Sequence, residues 1–164
     1  MTTFVSVGNA TQPFSRLLSA VVRLAPTLPQ PVVIQHGTTQ VDSTYCDCRH
    51  FVSMAEFETL ISSAELLILH AGAGSVIHAV RAGKVPVLMP RRAQFGELID
   101  DHQTEFARAL EASGRVIVIN DPSQLGKAVQ RALEVQREMV VNSKVSRMTR
   151  LIEGTLARYA TLSR

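Results

Sequence analysis

Short apolar runs recur through the first 120 residues, and each is bounded by polar, glycine or proline residues. Nearly continuous runs of this length are typical of strands that are buried on both faces of a parallel sheet. The pattern predicts five strands, at Phe4–Val7, Val32–Gln35, Leu66–Leu69, Val85–Met89 and Val116–Ile119.

Helical stretches fill most of the intervals between these runs. They are predicted at Phe14–Leu24, Ala55–Ser63, Ser75–Ala82 and Asp101–Ala112, and each ends near a proline, a glycine or the next strand. The segment Thr38–His50 is polar and aperiodic, and we predict a loop there. The alternation of strands and helices favours an α/β fold with a doubly wound parallel sheet.

The last quarter of the chain has a different pattern. Asp121 and Pro122 are a helix-start signal, because aspartate caps helices and proline suits the first helical position. A long helical segment is predicted from there to the end, with an interruption at Val140–Asn142. The sequence therefore divides into an α/β domain, residues 1–122, and C-terminal helices, residues 123–164, which pack on it or on a partner.

Length and composition restrict the class of protein. A chain of 164 residues suffices for one domain with a substantial core. Its apolar runs are far shorter than the ~20 residues that span a bilayer, and its first residues lack a signal-peptide pattern. Cys46 and Cys48 sit one residue apart and cannot staple a secreted scaffold, and they lack the second pair of ligands that a zinc site needs. We therefore expect a cytoplasmic protein.

Basic charge is concentrated at the C-terminal end. The net charge is +3, and eight of the Lys and Arg residues lie from Lys127 onward, against three glutamates. Because the rest of the chain is not basic, this distribution argues against a nucleic-acid-binding surface spread over the fold. The basic stretch either meets a partner, an anionic leaflet or a lipid pyrophosphate, or is the solvated face of an amphipathic helix.

The turn His70-Ala71-Gly72-Ala73-Gly74-Ser75 joins an apolar run to a predicted helix. Glycines allow the backbone to approach a ligand, and a helix N-terminus offers free N–H donors and positive potential, which together predict a diphosphate site. A tight turn without a ligand is the alternative, because short glycine motifs are weakly specific. The turn has neither GxGxxG nor GK[ST], which argues against NAD and ATP.

Three motifs in order resemble the donor-binding half of GT-B nucleotide-sugar glycosyltransferases. They are Gly8 with Gln12-Pro13-Phe14, the turn at 70–75, and Asp101-His102-Gln103. The chain looks most like single-domain subunits of two-part glycosyltransferases, those of bacterial exopolysaccharide synthesis and the soluble subunit of the dolichol-linked N-acetylglucosamine transferase. It is similar in plan to the C-terminal domain of MurG. The resemblance covers about residues 4–120 and implies a Rossmann-like half of a GT-B fold.

The resemblance implies a donor site. The diphosphate would be held by the turn and the helix start, with His70 facing the same crevice and Gly8 and Asn9 beside the phosphates. Phe51–Met54, including Val52 and Met54, lies where the family reads uracil, and simple packing is the alternative there. The segment at 101–103 would contact the transferred sugar, or cap a helix. The implied diphosphate residues are Gly72, Ala73, Gly74 and Ser75, and the implied sugar residues are Asp101, His102 and Gln103.

The sequence departs from the family at two positions. Relatives usually carry an acidic residue eight positions after the histidine, to hold the ribose, and His78 stands there. Members often show Thr-His after the first glycine, where this chain has Asn9-Ala10. These departures keep open a noncatalytic nucleotide-sugar-binding or regulatory module. Arg91 and Arg92 either neutralise a phosphate or a carboxylated sugar, or are solvated arginines of a loop.

The leading expectation is the donor subunit of an inverting glycosyltransferase in surface polysaccharide synthesis. It would transfer a sugar from a UDP-sugar to a polyprenyl-diphosphate-linked acceptor, without a cofactor or an obligatory metal. A membrane-associated partner would supply the acceptor side and the general base, so no catalytic residue is assigned to this chain. The complex would lie at the inner face of the membrane, with no nucleic-acid partner.

Overall fold

The computed structural model describes residues 2–141. It contains a six-stranded, wholly parallel sheet in the order β3-β2-β1-β4-β5-β6. This order is that of a doubly wound Rossmann-like sheet, which confirms the predicted fold class. The strands are β1 Thr3–Ser6, β2 Val32–Gln35, β3 Cys46–Arg49, β4 Leu66–His70, β5 Val87–Met89 and β6 Ile117–Val118.

Five helices of the described chain cover the sheet. Short 3-10 turns at Ala25–Thr27, Ala93–Phe95 and Pro122–Gln124 connect some of the elements. The third helix begins two residues earlier than predicted, so Ala73 and Gly74 belong to its first turn. The helices are α1 Ser15–Leu24, α2 Met54–Ser63, α3 Ala73–Arg81, α4 His102–Glu111 and α5, residues 125–141.

Each face of the sheet has its own core, because successive strand residues point to opposite sides. Val5 and Ile68 pack with α1 and α5, whereas Phe4 and Leu67 pack with α2, α3 and α4. Of α5, the residues that join the first core are Leu125, Ala128, Val129 and Ala132. The central strands are therefore buried on both faces, as their apolar runs indicated.

The prediction of a loop throughout Thr38–His50 is wrong, because this segment contains the edge strand β3. Cys48 pairs with Ile34 of β2, and Cys46 and Cys48 pack partly against the first core. An edge strand has only one neighbour and is half exposed, so the short sequence Cys-Asp-Cys-Arg carries no apolar run that would reveal it. The two cysteines are free thiols.

The C-terminal helix is attached to the body by a side chain as well as by its apolar face. The amide of Gln136 accepts a hydrogen bond from Val85 N (2.9 Å) and donates one to Gly83 O (3.1 Å). The helix continues through Val141, so the expected interruption is not seen at its first two positions. Asn142 and the predicted helical segment after it lie outside the described residues. Within residues 2–141 no helix combines the length and the apolarity that crossing a membrane requires.

Candidate functional site

A cavity of about 400 Å³ lies at the carboxyl ends of β1 and β4. The order of the strands reverses between these two neighbours, and open α/β sheets bind their ligands at such a switch point. The cavity extends between the ends of these strands and the helices α2 and α3. Its lining is formed by Ser6, Gly8, Asn9, Gln35, Val52, Met54, Phe57, His70, Gly72, Ala73, Gly74, Ser75 and His78.

The N-terminus of α3 opens into this cavity. Gly72 is the N-cap residue and provides no side-chain cap, whereas Ser53 caps α2 by accepting a hydrogen bond from Glu56 N. The first N–H groups of a helix have no partner within it, and here they belong to Ala73, Gly74 and Ser75. Uncapped donors and the positive end of the helix dipole together favour an anion at this place.

His70 forms the floor of the cavity, at the end of β4. It is only 9% exposed. Its Nε2 lies 3.2 Å from Ser75 Oγ, and its Nδ1 lies 3.4 Å from Nε2 of Gln103. Both ring nitrogens therefore have polar neighbours, one inside the cavity and one behind it.

His70 is neutral at physiological pH. Burial, together with the positive charge of Arg91, lowers the pKa of His70 to about 4. A neutral imidazole carries one N–H, so one ring nitrogen donates a hydrogen bond and the other accepts one. His70 can thus act on a ligand through Ser75 without adding a charge.

Two glycines give the imidazole its space. A Cβ at Gly8 would lie 2.4 Å from Nε2 of His70, and a Cβ at Gly72 would lie 2.1 Å from its Cε1. Both distances are far below van der Waals contact. These glycines are therefore required by the packing of His70, and not only by a ligand's approach.

The first glycine loop is held by side chains from two neighbouring strands. Ser6 Oγ donates to Gln35 Oε1 (2.5 Å) and accepts from Gly8 N (3.2 Å), and Gln35 Nε2 donates to Gly8 O (3.1 Å). Gly8 has a φ of +75°, which glycine adopts without strain. Because the Gly8 N–H is already bonded, this residue shapes the loop beside the cavity and leaves Asn9 exposed at its rim.

Ser6 and Gln35 were missed at the level of sequence. The available signal was a polar residue at or next to the end of each of these two apolar runs, since the carboxyl ends of parallel strands meet at one edge of the sheet. Phe57 was also missed, because its apolar position in α2 does not distinguish a cavity wall from a core.

The opposite wall of the cavity is apolar apart from one histidine. Met54 and Phe57 come from the first turn of α2, Val52 precedes the N-cap of that helix, and His78 comes from the second turn of α3. The rings of His78 and Phe57 are edge-on, with their centroids 6.1 Å apart. Nδ1 of His78 lies 3.7 Å from Glu58 Oε1. This wall suits a flat ring with a polar group at its end.

The motif at 101–103 divides into exposed and buried parts. Asp101 Oδ1 accepts a hydrogen bond from Ala93 N (3.0 Å), and His102 contacts Asp100. Gln103 is buried and accepts a hydrogen bond from Arg91 N (3.2 Å) as well as facing His70. In the described part of the chain, the lining of the cavity does not include these three positions.

The interpretation of Arg91 as a phosphate ligand or a solvated arginine is wrong. Its side chain is completely buried and donates hydrogen bonds to Val7 O (2.8 Å), Gln12 O (2.8 Å) and Glu97 O (3.0 Å). Burial lowers its pKa to about 10, against the favourable charge of Glu97. The guanidinium thus ties the first glycine loop to the segment after β5, and it is Arg92 that is partly exposed.

A second arginine strengthens the same junction. Arg16 of α1 forms a two-pronged ion pair with Glu97, through Nε to Oε1 (3.0 Å) and through Nη2 to Oε2 (2.8 Å). Arg16 also donates to Pro90 O (2.8 Å). The loop beside the switch point is consequently fixed by two arginines that meet at one glutamate.

Comparison with known proteins identifies the domain. The family model for the glycosyltransferase family 28 C-terminal domain matches residues 2–153. The UDP-N-acetylglucosamine transferase subunit ALG13 of Yarrowia lipolytica is 34% identical over 99 residues, which cover 59% of this chain and 48% of the relative. The UDP-N-acetylglucosamine--N-acetylmuramyl-(pentapeptide) pyrophosphoryl-undecaprenol N-acetylglucosamine transferase of Solibacter usitatus is 32% identical over 105 residues, 64% of this chain and 25% of that protein.

Solved structures share the fold. CalG4, the calicheamicin glycosyltransferase, superposes with a TM-score of 0.62 at 19% identity, over 97% of this chain and 44% of that one. Acinetobacter baumannii MurG superposes with a TM-score of 0.51 at 22% identity, over 82% of this chain and 45% of that one. The chain spans about half or less of the length of these relatives. The family match over residues 2–153 shows that the chain belongs to the glycosyltransferase family 28 C-terminal domain family, and its sheet order and structural neighbours agree with the GT-B fold.

Proposed function

We propose that this protein binds a UDP-sugar and provides the donor half of a glycosyltransferase, while a separate membrane-associated chain provides the acceptor half. The uncapped N-terminus of α3 at the cavity is the observation that carries the proposal. The names of the relatives support UDP-N-acetylglucosamine as the first donor to test and a two-part enzyme as its context.

The diphosphate of the donor lies, in this proposal, against the first turn of α3. The N–H groups of Ala73, Gly74 and Ser75 and the Ser75 hydroxyl donate hydrogen bonds to its oxygens. When the bond to the sugar breaks, negative charge grows on the departing UDP, so the same donors stabilise the transition state more than the ground state. This neutralisation by the helix end is the reason for proposing that no metal is obligatory.

The uridine lies along the apolar wall. Val52, Met54 and Phe57 offer a surface for the uracil ring, and His78 stands where a ribose hydroxyl can exchange a hydrogen bond with its imidazole. A neutral imidazole makes one such bond at a time, unlike a carboxylate, which can take two hydroxyls together. Ribose recognition in this protein is therefore proposed to be weaker than that of relatives with an acidic residue here.

The transferred sugar is proposed to lie between Asn9 and the exposed start of α4, near Asp101 and His102. Displacement from the opposite face of the sugar by an acceptor hydroxyl inverts the anomeric centre. The base that removes the acceptor's proton belongs to the partner in this proposal. His70 is unsuited to that task, because its low pKa makes it a poor proton acceptor and both of its ring nitrogens have polar neighbours.

Exposed apolar side chains near the site support a partner on this side of the sheet. Phe95 is 55% exposed and Ile99 is 88% exposed, both on the loop between β5 and α4. This loop follows the carboxyl end of β5, the edge of the sheet at which the cavity lies, and large apolar groups exposed together are typical of a surface that another protein covers. The proposed partner presents a polyprenyl-diphosphate-linked acceptor of surface polysaccharide synthesis and holds the complex at the inner face of the membrane.

Isothermal titration calorimetry tests the donor assignment. Wild-type protein, alone and with its co-expressed partner, is titrated with UDP, UDP-N-acetylglucosamine and ADP, and UDP is titrated again with EDTA in place of magnesium. Uridine nucleotides should bind, ADP should bind more weakly, and EDTA should not change the affinity. Ser75→Ala should weaken UDP binding, whereas Ser62→Ala on the exposed face of α2 should not. No uridine-nucleotide binding in either state would overturn the proposal.

Turnover separates an enzyme from the noncatalytic module that remains the alternative. The reconstituted pair, incubated with a panel of UDP-sugars and a lipid-linked acceptor, should transfer a sugar. If the pair assembles and binds UDP-sugar but never transfers, the regulatory module is the correct interpretation.

A further inference from the structure

Gln103 is a buried amide with both ends engaged. Its Oε1 accepts from Arg91 N at 3.2 Å, and its Nε2 lies 3.4 Å from Nδ1 of His70. It is only 5% exposed, although the resemblance to other enzymes places it against the transferred sugar. Each end of the amide keeps one further hydrogen or lone pair, but Gln103 is buried and does not belong to the lining of the cavity.

The orientation of this amide follows from its partner on the main chain. A backbone N–H can only donate, so the atom of Gln103 that faces Arg91 N must be the carbonyl oxygen. The NH₂ group of the amide then faces His70 and donates to Nδ1. Because Nδ1 accepts, the single hydrogen of the neutral imidazole must be on Nε2.

That hydrogen has a defined acceptor. Nε2 of His70 lies 3.2 Å from Ser75 Oγ, so the imidazole donates to the serine oxygen. A hydroxyl that accepts from one side directs its own hydrogen elsewhere, and Ser75 lines the cavity at the uncapped start of α3. The chain of donors thus runs in one direction, from Arg91 N through Gln103 and His70 to Ser75 and into the cavity.

We infer that Gln103 is a positioning residue that holds His70 in the Nε2–H tautomer, so that Ser75 presents its hydroxyl hydrogen to the diphosphate of the donor. The inference rests on the proposed function for the identity of the ligand, but its geometric part concerns the protein alone. The reversed tautomer would make Nε2 an acceptor. Ser75 would then donate to His70 and turn oxygen lone pairs toward an anion.

The tautomer is measured directly by nuclear magnetic resonance. Long-range ¹H–¹⁵N correlation spectra of the ¹⁵N-labelled, ligand-free protein distinguish protonated from unprotonated ring nitrogens, and His70→Gln identifies the signals of His70. The wild type should show a bare Nδ1 and a protonated Nε2. A protonated Nδ1 in the wild type would overturn the inference, whatever the protein binds.

Gln103→Glu replaces the NH₂ donor that faces His70 with an oxygen acceptor, while the side chain keeps its shape. A carboxylate can still accept from Arg91 N, but the oxygen that faces Nδ1 can only accept, so Nδ1 should become protonated. Gln94→Glu, which makes the same change on an exposed neighbouring loop position, should leave the His70 signals unchanged. If Gln103→Glu does not fold, Gln103→Met removes the donor without adding charge, and both ring nitrogens should then show averaged signals. Unchanged signals in the folded variant would contradict the inference.

Nucleotide affinity shows whether Gln103 acts through His70 or on the sugar. At a pH well above the ordinary histidine pKa, Gln103→Glu should weaken UDP and UDP-N-acetylglucosamine equally, by about fivefold, the value of one ordinary hydrogen bond. A loss confined to the UDP-sugar would make Gln103 a sugar ligand and overturn the inference while leaving the proposed function intact. If the wild type bound no uridine nucleotide, the proposed function would fail, and the spectra would still decide the tautomer.

A double-mutant cycle removes the remaining ambiguity, because a new carboxylate also repels phosphate directly. In the Ser75→Ala background the Gln103→Glu change should cost no further affinity if it acts through the serine hydroxyl. An equal loss in both backgrounds would show direct repulsion and contradict the relay.

Discussion

His70 occupies the place that a side chain at Gly72 would need: a Cβ there would lie 2.1 Å from Cε1 of the imidazole. Gly72→Ala should therefore displace His70 and destabilise the fold by about 1–3 kcal/mol, the usual cost of overpacking. Thermal unfolding of the variant measures this directly. UDP affinity should fall with it, since Ser75 loses its partner.

The matched controls for this change are two glycines with open space around them. A Cβ added at Gly74 or at Gly126 would meet no atom within 4 Å, and neither residue has a positive φ. Gly126→Ala, in α5, should leave stability unchanged or raise it by up to about 1 kcal/mol. Gly74→Ala should also fold normally, but its methyl group stands beside the proposed diphosphate and should weaken UDP binding. Equal stability of Gly72→Ala and Gly126→Ala would contradict the packing role of Gly72.

Stability should depend on pH through His70. The folded protein keeps this ring neutral down to about pH 4, whereas the unfolded chain takes up the proton near pH 6.5. Because the unfolded state takes up the proton first, the free energy of unfolding falls as the pH is lowered from about 6.5 toward 4. His70 should account for a loss of up to about 3 kcal/mol over this range, and for none above about pH 6.5. Urea unfolding between these values measures it.

Two variants identify the group responsible for that pH dependence. His70→Gln should flatten the part of the profile between about pH 6.5 and 4, because no imidazole remains there to be protonated. His50→Gln, at an exposed position beside Phe51, should keep the wild-type profile. A His70→Gln profile as steep as that of the wild type would assign the acid sensitivity to other groups.

Arg91 should not be replaceable by lysine. Its planar guanidinium reaches three carbonyl oxygens in different directions, and a single ammonium group cannot serve all of them. Arg91→Lys should lower the free energy of unfolding by about 2–4 kcal/mol, because buried acceptors lose their donors. Arg92→Lys is the control, since the guanidinium of Arg92 donates at the surface, to Asn120, and its effect should stay within about 0.5 kcal/mol.

The sequence predicted the central part of this fold well, because each apolar run there lies between two cores. Phe4 and Val5 show the reason, since neighbours on one strand enter opposite layers and both must be apolar. The edge strand β3 obeys no such constraint, and its pattern of cysteine, aspartate, cysteine and arginine carries no signal. The loop prediction failed there because β3 is only partly buried, with one face against the core.

The glycine turn and the helix start after it could also be predicted, since free backbone donors are present at the start of any helix. The directions in which the polar side chains point could not be predicted. Arg91 looks in the sequence like any loop arginine, and only the assembled fold shows that Val7 and Gln12 supply carbonyls for it. Likewise, the contact of Gln103 with His70 joins residues 33 positions apart, which no local spacing reveals.

His78 offers the sharpest test of how the nucleoside is recognised. A glutamate at this position could take two ribose hydroxyls at once, but Glu58 already lies 3.7 Å from the imidazole and would repel it. The double variant His78→Glu/Glu58→Gln avoids the repulsion. Because a charged hydrogen bond to the ribose is then possible, discrimination between UDP and 2′-deoxy-UDP should increase by about tenfold or more over the wild type.

Calorimetry with the two nucleotides measures that ratio in the wild type, in the double variant and in Glu58→Gln alone. The single variant should leave the ratio unchanged, because it adds no acceptor at the ribose. If the double variant fails to discriminate while still binding UDP, the 2′-hydroxyl does not contact position 78, and the proposed placement of the ribose against α3 is wrong.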